Sequence, residues 1–192
     1  MKIAPACLAL FVVVGCGLLS DRPAQSAPPG FATQPRAARN LPAGAQVAEV
    51  VIYLPRLLDD ASLTLQRVTR TVVTSGDPSR DALETLIRGP NGQERAEGLY
   101  PALDPHTQVL GLTVEAGTAS VELDEGLRRV HGRPFSELVY WSMVYTLTEA
   151  PGVRGVRLVR GGGPLASMGD PAFELPAEGT RDSAPSWARP WQ

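Results

Sequence analysis

Chemistry that depends on sulfur or imidazole has little to work with in this chain, which carries two cysteines and two histidines. Cys7 lies inside an apolar N-terminal run and is expected to leave with it, so Cys16 would be the sole cysteine of the mature chain. That excludes an internal disulfide and a thiolate metal site. His106 has no second histidine nearby and fits no ligand spacing, and His131 stands alone in a loop. No metal and no cofactor are expected. The chain also lacks a G-x-S-x-G elbow, an H-E-x-x-H pair, a Walker loop and a dinucleotide fingerprint. The formal charge is −2, which gives no basic surface for phosphate, so nucleic acid is not expected as a partner. The apolar run at residues 3–14 is shorter than the roughly 20 residues that cross a bilayer.

What is present at the N-terminus reads as an export signal. Lys2 supplies the positive start, the apolar run follows, and Val13-Val14-Gly15-Cys16 looks like a bacterial lipobox. A small residue before the cysteine lets a signal peptidase reach the bond, and the thiol accepts a diacylglyceryl group. Residues 1–15 are therefore expected to be a lipoprotein signal peptide and Cys16 the lipidation site. A lone acyl chain binds a membrane only marginally, whereas the several chains of a bacterial lipoprotein anchor stably. The expected location is extracytoplasmic, attached to the cell membrane by that anchor. The alternative is an ordinary cleaved signal with an incidental cysteine. Residues 16–46, dominated by Pro, Ala, Gly, Ser, Gln and Arg without apolar period, read as a disordered tether.

A single modest domain follows, and the 192-residue length suffices to bury a core. Val47–Leu54 is apolar on both faces, as in a central strand. Leu63–Val73 reads as a second strand. Asp77 is a helix N-cap with Pro78 at the first helical position; Leu83, Leu86 and Ile87 share a face, and Gly89-Pro90 ends the helix. A phosphate-cradling glycine precedes a helix, and this one follows it. Residues 91–107 form a long connection, the kind that is functional or contains a short helical turn. Its Glu94, Glu97, Asp104 and His106 read as solvated loop charges. Val109–Glu115 and Thr118–Asp124 read as a hairpin around Ala116-Gly117, with Leu110, Leu112, Val114, Ala119, Val121 and Leu123 on one face. Asp124 and Glu125 suggest a glycosidase pair, but adjacent strand residues point apart.

The organising stretch is residues 134–165. Pro134 starts a helix and Pro151-Gly152 stops it. At about 100° per residue, Val139, Met143 and Leu147 line up with Tyr140 and Val144 beside them, wide enough to cover a sheet. Leu138, Trp141 and Tyr145 form a second stripe on the far side. One sheet covers only one of these faces. The second stripe must meet the first helix, the C-terminal tail with Trp187, or a protein partner, for which Trp and Tyr are the usual anchors. A strand at Val156–Leu158 and a turn at Gly161-Gly162-Gly163 follow.

Several blocks of this sequence resemble one family. Tyr145-Thr146-Leu147-Thr148-Glu149, then Pro151-Gly152-Val153, Val156 and the glycine turn resemble the end of a GerMN domain, the sporulation and spore germination domain. Ala82 to Pro90 resembles its helix ending in Gly-Pro. Leu103-Asp104-Pro105 with Thr107, Leu110, Leu112 and Val114 resembles its middle strand entry, and Val121, Leu123 and Asp124 the next strand. Arg70 matches an arginine often seen there and reads as an exposed or salt-bridged strand residue. The resemblance covers residues 47–169 and brings no catalytic residues. It implies an α+β two-layer sandwich, a mixed sheet with two helices on one face in the order ββαββαβ, similar to ring-building modules. It also implies a non-enzymatic envelope protein that acts through protein contacts, in assembly of a cell-envelope or sporulation or germination complex. The alternative is a binding module for cell-wall glycan (peptidoglycan) or a small ligand. Residues 170–192 read as a partly disordered tail containing Trp187 and Trp191, in which Pro176 and Arg181 stand where the family domain closes.

Overall fold

A computed structural model of the chain describes residues 44–58, 60 and 62–190. The signal segment, Cys16, most of the tether and Trp191 lie outside the described residues. The longer elements are β1 (Val47–Leu57), β2 (Leu63–Val73), α1 (Pro78–Arg88), α2 (Gly92–Ala96), β3 (Val109–Glu115), β4 (Thr118–Leu123), α3 (Arg133–Leu147) and β5 (Gly155–Arg160). With α2 set aside, their order is the expected ββαββαβ, and the class is α+β. Two-residue strands β6 (Gly163–Pro164), β7 (Ser167–Met168), β8 (Phe173–Glu174) and β9 (Gly179–Thr180) complete the chain.

Local chemistry sets the boundaries. The Asp77 carboxylate accepts the N–H groups of Ser79 and Arg80 at 3.0 and 3.1 Å, satisfying donors that the first turn of α1 leaves open. The connection 91–107 contains α2 because Asn91 caps it: Asn91 Oδ1 accepts the Glu94 N–H while the Glu94 carboxylate accepts the Asn91 N–H. Glu94 also pairs with Arg70, which settles that arginine as a salt-bridged strand residue. Ala116 at φ 51° and Gly117 at φ 90° make the two-residue turn that matches the twist of β3 and β4.

The described strands fall into two long hydrogen-bonded ladders, of which the second is mixed, and a short third one, the antiparallel pair β7–β8. β1 and β2 form an antiparallel hairpin in register from Val47↔Val73 to Leu57↔Leu63. The second ladder has the order β3-β4-β5-β6, antiparallel at β3/β4 and parallel at β4/β5, with β9 also on β5. α3 packs against both ladders. Its Tyr145 ring lies 5.3 Å from that of Tyr53 on β1. About 100° to 140° around the helix, by the 100° rotation per residue, Val144 and Tyr140 lie against Gly179 of β9.

This cover within the chain decides against a partner surface for Leu138, Trp141 and Tyr145, one of the three covers open to that stripe. Trp141 is 5% exposed, Tyr145 6% and Leu138 0%. Tyr145 lies against Tyr53 of β1 and under Arg181 of the C-terminal tail, and α1 packs against α3 as well. A helix apolar on all sides is a buried helix. Trp141 meets Tyr140 edge-on, with ring centroids 5.0 Å apart.

Two of the hydroxyls buried in α3, those of Ser142 and Thr146, serve the edge of β1 that faces away from β2. Thr146 Oγ1 accepts the Tyr53 N–H at 3.0 Å, and Ser142 Oγ donates to the Tyr53 carbonyl. The helix thus stands in for a neighbouring strand and covers an edge that would otherwise be open. The same parity explains Pro55, which does not end the strand as its sequence position suggests. Its nitrogen points the same way as those of Tyr53 and Leu57, away from β2, so the missing N–H costs no ladder bond.

Two further expectations are corrected. The register shifts between Val109 and Gly111, a bulge that turns Leu110 outward to 60% exposure and brings Val109 towards the core. Val114, at the turn end of this edge strand, is also exposed. The tail beyond residue 169 is structured through 190. It contributes β8, β9 and a 3-10 turn at 186–188, and it buries Ala184 and Ala188 while Trp187 stays 45% exposed.

Candidate functional site

The densest convergence of ionisable side chains lies at the C-terminal end of α3. Glu149, just past the helix, accepts the Tyr53 hydroxyl at 2.7 Å and Arg181 Nη2 at 2.6 Å, both on Oε1. Arg181 also donates from Nη2 to the Tyr145 carbonyl at 3.0 Å and from Nε to Thr148 Oγ1 at 2.7 Å. Its guanidinium sits 5.7 and 5.5 Å from the centroids of the Tyr53 and Tyr145 rings. A cation at the last carbonyls of a helix is favoured by the helix dipole and by the open acceptors there. The two ring faces add cation–π attraction.

Burial pushes the Glu149 carboxyl up, but the hydrogen bonds from Arg181 and Tyr53 and the Arg181 charge outweigh it, and the net position is below the ordinary range. Burial, then the Glu149 hydrogen bond and charge, push the Tyr53 phenol above its ordinary value. The carboxylate is already engaged by two donors, and no nucleophile stands beside it, so the cluster works as a clasp rather than as an acid–base pair. Its depressed carboxyl contributes stability that is present above the ordinary glutamate range and lost as pH falls through the folded value. The melting temperature is therefore expected to drop below about pH 4.5. Glu149→Gln should lower it at neutral pH and flatten that acid-side fall. An unchanged pH profile in thermal melts of the variant would refute the assignment. Asp81, held low by Thr74 and Ser75 against its burial, contributes in the same window and leaves a residual slope.

The other candidates do not assemble. Asp124 caps the 3-10 turn 125–129 by accepting the Gly126 N–H at 2.9 Å, and Glu125 opens that turn. The backbone of His131 bridges to Asp170, and the His106 N–H donates to Asp104 Oδ1 at 2.9 Å. Among the described residues no group of three His, Cys, Asp or Glu side chains could hold a metal ion. Among the described residues, two of the grooves are open and roomy. One, of about 420 Å³, is mainly apolar and runs along 100–105 to Val130, His131 and Phe135. The other, of about 450 Å³, lies between β2 and α2 and presents Arg56, Gln66, Asn91 and Gln93 beside Val68 and Leu99.

Sequence reasoning missed the clasp and the Ser142–Thr146 pair. The second had a signal: two hydroxyls four apart inside an otherwise apolar helix must find partners when buried. The clasp had none, since Tyr53, Glu149 and Arg181 are distant in sequence.

The family model for Germane, sporulation and spore germination, matches residues 51–166. The chain belongs to the Germane family. Among solved structures it is similar to the tandem GerMN domains of the sporulation protein GerM from Bacillus subtilis, at 21% identity and a TM-score of 0.59. That alignment covers 76% of this chain and 49% of the tandem structure. The chain thus spans about half the length of that relative. It is also similar to the first GerMN domain of the same protein, at 19% identity and a TM-score of 0.55, covering 70% of this chain and 99% of that one. A search of curated proteins found no match. At these identities the likeness shows the fold. The Germane match ends at residue 166, so β7 to β9 and Arg181 of the clasp lie beyond it.

Proposed function

We propose that this Germane protein is a lipid-anchored, non-enzymatic extracytoplasmic protein that acts through protein contacts, in assembly of a cell-envelope or sporulation or germination complex. The observation that carries this reading is the Val13-Val14-Gly15-Cys16 junction ahead of a Germane domain. Its likeness to the GerMN domains of a sporulation protein is in keeping with the non-enzymatic part. Cys16→Ser is the direct test. The variant is expected to leave the membrane fraction or to stay unprocessed, and to lose labelling by a fatty-acid analogue. Fractionation and migration identical to wild type would overturn the anchor.

Cell-wall glycan binding has one observation in its favour. The groove between β2 and α2 sets amide and guanidinium groups beside the apolar Val68 and Leu99, which suits sugar hydroxyls and a sugar's C–H face. Retention on isolated peptidoglycan would support it; crosslinking to an envelope protein without such retention would support assembly.

A further inference from the structure

Residues 170–190 cross the domain from the second ladder to the first. β9 pairs with Gly155 and Val156 on the side of β5 away from β4. Glu178 Oε1 accepts the Thr118 hydroxyl at 2.9 Å, and Arg157 Nε donates to the Ala177 carbonyl at 3.1 Å. Arg181 then spans the end of α3, and the 3-10 turn 186–188 lies against β2. Up to residue 175 the segment is firmly seated: β8 pairs with β7, and Phe173 and Leu175 pack against the core, the Phe173 ring 6.0 Å from that of Tyr140. Beyond it little apolar surface holds the chain: its one strand is two residues long, its fully buried apolar side chains are Ala184 and Ala188, and both partners of the Arg181–Glu149 ion pair are partly exposed.

One contact opposes closure. The Tyr140 hydroxyl is buried under β9 without a hydrogen-bond partner, close enough to Gly179 that a Cβ there would overlap it. Closing the segment removes water from this hydroxyl and returns nothing, and an unsatisfied buried donor carries its desolvation penalty for as long as it stays covered. The segment is thus held by a charged clasp against the cost of an orphaned hydroxyl.

We propose that residues 176–190 are a releasable strap, closed by Arg181 on Glu149, whose opening frees the β5 edge and the Glu149–Tyr53–Tyr145 seat for an extended basic segment of a partner. The occupant follows from charge complementarity. A carboxylate, a helix-terminal carbonyl and two ring faces all seek a cation, and the edge beside them already accepts a strand. A partner segment would pair with β5 as β9 does and carry its arginine just past the pairing residues. This deepens the protein-contact reading of the domain, but purified full-length chain tests it whether or not the anchor is correct.

The test is hydrogen exchange in the full chain and its Arg181→Ala, Glu149→Gln and Tyr140→Phe variants, together with binding of a labelled peptide of sequence 173–190. Arg181→Ala and Glu149→Gln are expected to speed exchange at Gly179–Ala184 by on the order of tenfold while α3 stays protected. Tyr140→Phe should slow it several-fold, because the orphaned group is gone. The peptide should bind Arg181→Ala better than wild type, and should fail when its own arginine is alanine. Exchange in Tyr140→Phe equal to or faster than wild type, or peptide binding indifferent to its arginine, would overturn the proposal. If Arg181→Ala loses protection throughout α3, the opposite shifts expected of Glu149→Gln and Tyr140→Phe still support or overturn it.

Discussion

Trp141→Ala should destabilise the domain by about 3–5 kcal/mol, the range for deleting a large aromatic from a packed core. Trp141 is 5% exposed and packed edge-on against Tyr140 on a helix covered by both ladders. The melting temperature should fall by about 10 °C or more for a domain of this size. A melt within a degree or two of wild type would show that this face of α3 is not core. Trp141→Phe, which keeps much of the volume, should recover a large part of the loss.

The second large effect is expected where α3 meets β1. Thr146→Val preserves shape but leaves the Tyr53 N–H buried without an acceptor, and Ser142→Ala does the same to the Tyr53 carbonyl. Each should cost about 1–3 kcal/mol, the penalty of orphaning a buried backbone group. The conservative Thr146→Ser keeps the acceptor and should retain most of the stability. Denaturant unfolding separates the outcomes. If Thr146→Val were as stable as Thr146→Ser, the hydroxyl would be incidental to the edge of β1.

Much of this architecture can be read from local chemistry. Asp77-Pro78 and Gly89-Pro90 bracket α1 because capping and proline geometry act within a few residues. The turn at Ala116-Gly117 sets the β3–β4 register, with Val121 and Leu123 inside. The family resemblance covers nearly the same stretch that the Germane model matches. What escapes is what depends on distant pairing. Periodicity shows that α3 has two apolar stripes but not what covers them. The bulge that exposes Leu110 leaves no mark in an alternating pattern. The tail is rich in Pro, Ala and Ser, a composition that usually means disorder. It is nonetheless fastened by Arg181 to residues 32 and 36 positions earlier. Polar fastening of this kind has no period.

Because α3 is shared, the two ladders cannot lead separate lives. A two-stranded hairpin is marginal alone, and β1 reaches its cover only through residues of α3 that come much later in the chain. During synthesis, the N-terminal half must therefore wait, with its apolar faces wet, until Leu147 has emerged. Once α3 docks, melting either ladder strips one side of the helix and exposes the other ladder's core. The domain should unfold in a single calorimetric transition, with the amides of β1 and β5 exchanging at the same global rate.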